Sequence, residues 1–140
     1  KKFKIVIVGK GLPFNILKRN PNINYFEYLS KKKLNKLLIS SKFFLAPLIK
    51  SPGTKIKIIE TLMLGIPLIV SRQGMVGIKT FKNFNYPMIY KNEKDMIKKI
   101  ILLNKNYNKY VFTAKKVQIN YRYYYSMKNV ITKFIHDNNI

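Results

Sequence analysis

The chain is 140 residues long and 47% hydrophobic, with a formal net charge of +23 from 28 Lys and Arg against five Asp and Glu. That length fits one domain with a real core, and the apolar and aromatic content excludes a disordered polyelectrolyte. Cysteine is absent, so disulfides and thiolate metal sites are excluded; five dispersed acids and one histidine, His136, make no metal cluster, and no apolar run approaches the ~18 residues of a membrane span.

Lys1, Lys2 and Lys4 lead directly into a strand-like run at residues 3–8, with no signal-peptide pattern, and a cytoplasmic location is the default expectation. Residues 14–19 have helical spacing, and residues 23–26 read as a second strand. In the helix expected at 32–39, Leu34, Leu37 and Leu38 share one face while Lys32, Lys33 and Lys36 lie elsewhere. A short apolar strand follows at 43–46, then a helix at 54–64, a buried strand at 67–70 and a further strand at 88–90. Strand alternating with helix over some ninety residues (1–90) predicts an α/β parallel sheet flanked by helices. The last third is helical: 93–103, 107–123 and 127–137, with Asn104, Lys105 and Asn106 as the loop between the first two. Glu93 and Asp95 at the first of these helix starts complement its dipole.

Ser51 to Ser71 is the most informative stretch. Gly53 permits backbone angles closed to other residues. Thr54 is the expected N-cap, which turns the free amides and positive dipole end of the following helix toward an anion. Glu60, one of the five acids, lies further along that helix, where a carboxylate can accept hydrogen bonds from sugar hydroxyls. Lys57 sits one turn before it; the plainer reading of the two is a surface ion pair of small energetic weight. Gly9 and Gly11, after the first strand, suit either a turn or a close backbone approach to a ligand.

This stretch resembles the donor-binding segment of retaining glycosyltransferases of the GT-B fold, in the family called glycosyl transferases group 1. The match runs through Gly53, Thr54, Lys57, Glu60, Gly65, Pro67, Val70 and Ser71, with Lys55 where Arg is usual. Gly74, Gly77 and Ile78 resemble the family's following Gly-x-x-Gly-hydrophobic turn. Upstream, Gly9 and Gly11 resemble its Gly-x-Gly strand end, residues 23–30 the strand that meets the base, and 43–47 the strand before the donor loop. Tyr123 to Met127 resembles the start of its last helix.

The resemblance implies a Rossmann-like domain, one half of a GT-B fold, spanning residues 1–140 as a single donor-binding domain. It implies a nucleoside diphosphate sugar as substrate, no cofactor, and a glycan or lipid as acceptor. The diphosphate would meet Gly53, Thr54 and Lys57; Glu60 would hold the ribose; Gly9 and Gly11 would let the backbone approach; Leu29 would meet the base. Glu27 stands where the family usually has Gly, and Pro52 where many members have a second Glu for the hexose. The family's domain opens with one more strand-helix unit, and its acceptor site lies on an N-terminal domain. The chain is therefore expected to be a fragment lacking both, inactive in isolation.

Twenty-five of the 28 basic residues are Lys, in the company of much Ile, Asn and Tyr, a usage that AT-rich coding favours. Glu is scarce, which such coding does not explain. A basic surface attracts anionic membrane, at the inner face in this setting, or nucleic acid. A non-catalytic basic module for either polyanion is the rival to the enzyme reading. Its best feature is the aromatic run Tyr121, Tyr123, Tyr124 and Tyr125 around Arg122, which can stack bases or simply pack.

Overall fold

The computed structural model describes residues 3–49, 55–82, 84–127 and 129. The mixed α/β architecture read from the sequence is present, with parallel strands throughout. The strands form two small parallel sheets, one of two strands and one of three. Contacts divide the chain into two units, Lys1–Leu37 and Leu38–Ile140.

In the first unit β1 (Ile5–Val8) and β2 (Ile23–Phe26) pair in parallel, Ile5 opposite Ile23 and Val8 opposite Phe26. They are joined through α1 (Phe14–Arg19). Lys18 and Arg19 occupy the last turn of α1, where cations meet its negative dipole end, and the Asn20 side-chain amide donates to the Ile16 carbonyl at 2.8 Å. From Phe3 to Leu37 no described residue is buried. The helix α2 (Lys31–Ser40) starts at Ser30, whose hydroxyl accepts from the Lys33 amide.

The second unit is a three-stranded sheet in the order β3 (Phe44–Ala46), β4 (Leu68–Ser71), β5 (Met88–Tyr90). The central strand β4 is buried at every position, as expected of a parallel strand covered on both faces. Its alternate residues serve two cores. Leu68 and Val70 pack with Ile58 and Leu62 of α3 (Ile56–Leu64) and with Ala114, Val117 and Tyr121 of α6 (Tyr107–Tyr124). Ile69 points the other way, to Met88 and to Leu103 of α5 (Glu93–Lys105).

Local chemistry fixes the helix ends. Helix α3 stops at Gly65, whose φ of 68° is left-handed, with the Gly65 and Ile66 amides donating to the Leu62 and Thr61 carbonyls. A Cβ at Gly65 would also come within 2.9 Å of the Gln118 side chain, so a larger residue there is both strained and crowded. Helix α5 opens on Asn92, whose side chain accepts from the Asp95 amide, while the Asp95 carboxylate accepts from the Lys91 amide and the Lys99 ammonium. Those bonds, Lys99 foremost, hold the Asp95 carboxyl below its ordinary value.

Three expectations change. The helix that begins the donor segment starts at Ile56 with Lys55 as its N-cap and no side-chain cap. Thr54, expected to cap it, lies outside the described residues, as does Gly53. Asn104 and Lys105 are not a loop: α5 continues through both, and Asn106 alone separates it from α6. A short helix the sequence did not suggest, α4 (Arg72–Met75), follows β4 directly. The last expected helix, 127–137, and His136 fall almost wholly outside the described residues.

Candidate functional site

Parallel strands place all their carboxyl ends on one edge, and that edge is where open α/β sheets take ligands. In the second unit this edge comprises the residues after Ala46, Ser71 at the end of β4, and Tyr90 at the end of β5. Because α3 runs from the end of β3 back to the start of β4, its amino end faces the same edge. The first turn of α3 contains no acid. The Ile58 and Ile59 amides share the Lys55 carbonyl, and the positive dipole end of the helix favours an anion.

Two lysines stand at this helix start. The Lys55 ammonium donates to the Val76 carbonyl at 3.0 Å, tying the start of α3 to the segment just past α4. Lys57 is half-exposed and donates to Glu60 Oε2 at 2.7 Å. The Glu60 side chain retains 30% of its exposure, so its carboxylate is reachable from solvent. An ion pair this open contributes about 0–1 kcal/mol, so a polyol or a phosphate can replace either partner at small cost. Thr61, fully buried one residue on, donates its hydroxyl to the Lys57 carbonyl at 2.6 Å and so keeps its own polar atom satisfied.

Ser71 holds the edge together. Its hydroxyl donates to the Leu48 carbonyl at 2.6 Å and accepts from the Gly74 amide at 3.1 Å, so one side chain ties the loop after β3 to the cap of α4. The Tyr90 hydroxyl also bonds Ser71; burial nonetheless pushes the Tyr90 pKa up. Gly74 permits α4 to lie close against α3 and β4: a Cβ there would fall 2.5 Å from Val70 Cγ2 and 3.2 Å from Ile58 Cδ1. The sequence marked Gly74 as part of a turn and did not foresee this packing role, which has no local signal.

The other expected residues are accounted for as follows. Gly9 (φ 146°) and Gly11 (φ 88°) follow β1 in the first unit, with open space where a Cβ would sit. The Gly9 amide donates to the Phe26 carbonyl at 3.0 Å, so it lies beside the end of β2, and Leu29 is half-buried three residues past that end. Lys57 and Glu60 are brought together directly. A cavity of about 300 Å³ in the second unit is lined by Lys79, Thr80, Phe81, Lys82, Phe84 and Asn120, none of them a residue the sequence marked for the donor.

The aromatic run is packing rather than a stacking platform. Tyr121 is wholly buried, its ring edge-on to Phe81 at 4.9 Å and stacked on Tyr125 at 6.3 Å. Tyr124 and Tyr125 meet edge to face at 5.0 Å, which leaves Tyr123 as the member of the run that faces solvent. Among the described residues no group of three acids or histidines could hold a metal, and no helix is long and apolar enough to cross a membrane.

No curated protein and no solved structure matches the chain. The sequence model of a family does: glycosyl transferases group 1 matches residues 1–106, which include both sheets and α3 with its Lys57–Glu60 pair. With its parallel strands, its acid-free helix start and a family match over most of its length, the chain belongs to the glycosyl transferases group 1 family.

Proposed function

We propose that the chain is the donor-binding domain of a retaining GT-B glycosyltransferase and holds a nucleoside diphosphate sugar at the start of α3. The observation that carries this reading is the pairing of a basic, acid-free helix start with a reachable carboxylate one turn further in. On this reading Lys57 turns from Glu60 to the diphosphate, and Glu60 is released to accept from the ribose hydroxyls. The amides after Gly53 and Thr54 join Lys57.

Transfer breaks the bond between the anomeric carbon and the diphosphate and forms one to an acceptor hydroxyl, which gives up its proton. Negative charge grows on the departing phosphate as this happens. Fixed amide dipoles and a lysine aimed at that oxygen stabilise the transition state more than the ground state. The acceptor, a glycan or lipid, and the groups that handle its proton belong on this reading to a separate N-terminal domain. The rival reading of the aromatic run as a nucleic-acid platform loses support from the burial of Tyr121.

The test is ligand-observed NMR of the chain with UDP, GDP and ADP at physiological salt, repeated on Glu60→Ala. One nucleotide is expected to bind weakly. A hydrogen bond to a charged group contributes about 1.5–3 kcal/mol, so the variant should lose at least about tenfold in affinity. A folded chain that takes none of the three, or binds one equally well without Glu60, would show the assignment to be wrong.

A further inference from the structure

Helix α6 is apolar on two opposite sides. Ala114, Val117 and Tyr121 form its buried seam. On the far side Phe112, Ile119 and Tyr123 are exposed at 60%, 71% and 73%, spaced by seven and four residues, which aligns them along one stripe. Lys109 and Lys116 border the stripe on one side and Lys115 on the other, all exposed. The helix has no Asp or Glu anywhere.

We propose that this outer face of α6 is a membrane-docking surface that lies in the headgroup region of a bilayer containing acidic lipids. An aromatic and aliphatic centre flanked by lysines is the pattern of a helix that lies in a bilayer interface, its apolar side chains sinking while the ammonium groups reach up to phosphates. Charge decides against a second copy of the chain as the occupant. Two such faces would press lysines onto lysines with no acid between them. Nucleic acid fits less well too. The Lys116 ammonium lies 4.5 Å from the centroid of the Phe112 ring and covers the face on which a base would stack, and Ile119 has no flat surface to offer. This inference stands independently of the donor reading.

The chain has no tryptophan, so Phe112→Trp adds a single fluorescent reporter within the stripe. Its emission is expected to shift to the blue with phosphatidylcholine vesicles containing phosphatidylserine, and not with phosphatidylcholine alone. In flotation with the same mixed vesicles, Ile119→Asp should lower partition by about tenfold or more. Replacing Lys115 and Lys116 with Gln should lower it by about fivefold for each charge removed. Ile119→Gln serves as a second variant should the aspartate disturb folding, which circular dichroism reports. Failure to bind mixed vesicles, or binding that Ile119→Asp and Ile119→Gln leave unchanged, overturns the proposal. So does a blue shift that rises with protein concentration in the absence of lipid, which would mean self-association. Duplex DNA that competes the vesicles away and is itself bound equally by the Ile119 variants would overturn it in favour of nucleic acid.

Discussion

Tyr121→Ala is expected to lower the unfolding free energy of the Leu38–Ile140 unit by about 3–5 kcal/mol, the usual cost of removing a large buried ring. The ring is at 0% exposure and joins α6 to Phe81 and Tyr125 across the main core. Tyr121→Phe should do the opposite. The Tyr121 hydroxyl is buried with no hydrogen-bond partner among the described residues, and its removal leaves the ring in place, so a gain of about 1 kcal/mol follows. Urea denaturation of the two variants measures both effects. If phenylalanine costs as much as alanine, the hydroxyl has a partner after all.

The same hydroxyl predicts a dependence on alkaline pH. Burial first, and Tyr125 second, push its pKa from 10.0 up to about 12. Below the ordinary value both folded and unfolded chains keep the proton, and stability is at its full level. Between pH 10 and pH 12 the unfolded chain releases the proton while the folded one retains it, so stability falls as pH rises. Two units correspond to about 3 kcal/mol, which the Phe variant should not lose. Tyr86, buried and donating to the Ile66 carbonyl at 2.6 Å, is pushed the same way by burial and steepens the decline.

Leu62→Ala is the second large effect. Leu62 is 1% exposed on the inner side of α3, against β4 and α6. The lost methyl groups and the cavity left behind should cost about 2–5 kcal/mol, while Leu62→Met, close in volume, should cost less than about 1.5. Amide exchange at Ile69 and Val70 reads this directly, because β4 opens only when the unit does. The loss has a functional side, since Lys57 and Glu60 sit on this same helix. A destabilisation under about 1 kcal/mol would mean that α3 is not anchored through Leu62.

How legible this molecule is in its sequence varies with the kind of signal. β4 was readable because a strand covered on both faces is apolar at successive positions, and helix–strand alternation gave the α/β class. The Lys57–Glu60 pairing was readable from one-turn spacing. Helix α4 was not: four residues, one of them Gly74, show no period; its cap is the Ser71 hydroxyl accepting from the Gly74 amide, and the donation of that hydroxyl to Leu48, 23 residues away in the chain, has no local signal. Asn104 and Lys105 look like a break by composition. Yet α5 already has its hydrophobic contact at Leu103, and the Asn104 side chain accepts from the Lys42 ammonium at 2.7 Å, so the helix runs on. Which strand pairs with which, β1 with β2 and β3 through β5 in order, is stated by no residue pattern within a strand.

The lack of any buried residue from Phe3 to Leu37 bears on how this chain responds to heat. A segment of under about 40 residues rarely supplies a core of its own, and β1 and β2 expose apolar side chains such as Ile5 and Phe26 that a core would enclose. The unit around Tyr121 and Leu62 has such a core; the amino-terminal unit has little burial to offset its ordering entropy. The two therefore part company on warming, the first opening well before the second. A single melting temperature taken from whole-chain signal would be an average of two transitions and a property of neither.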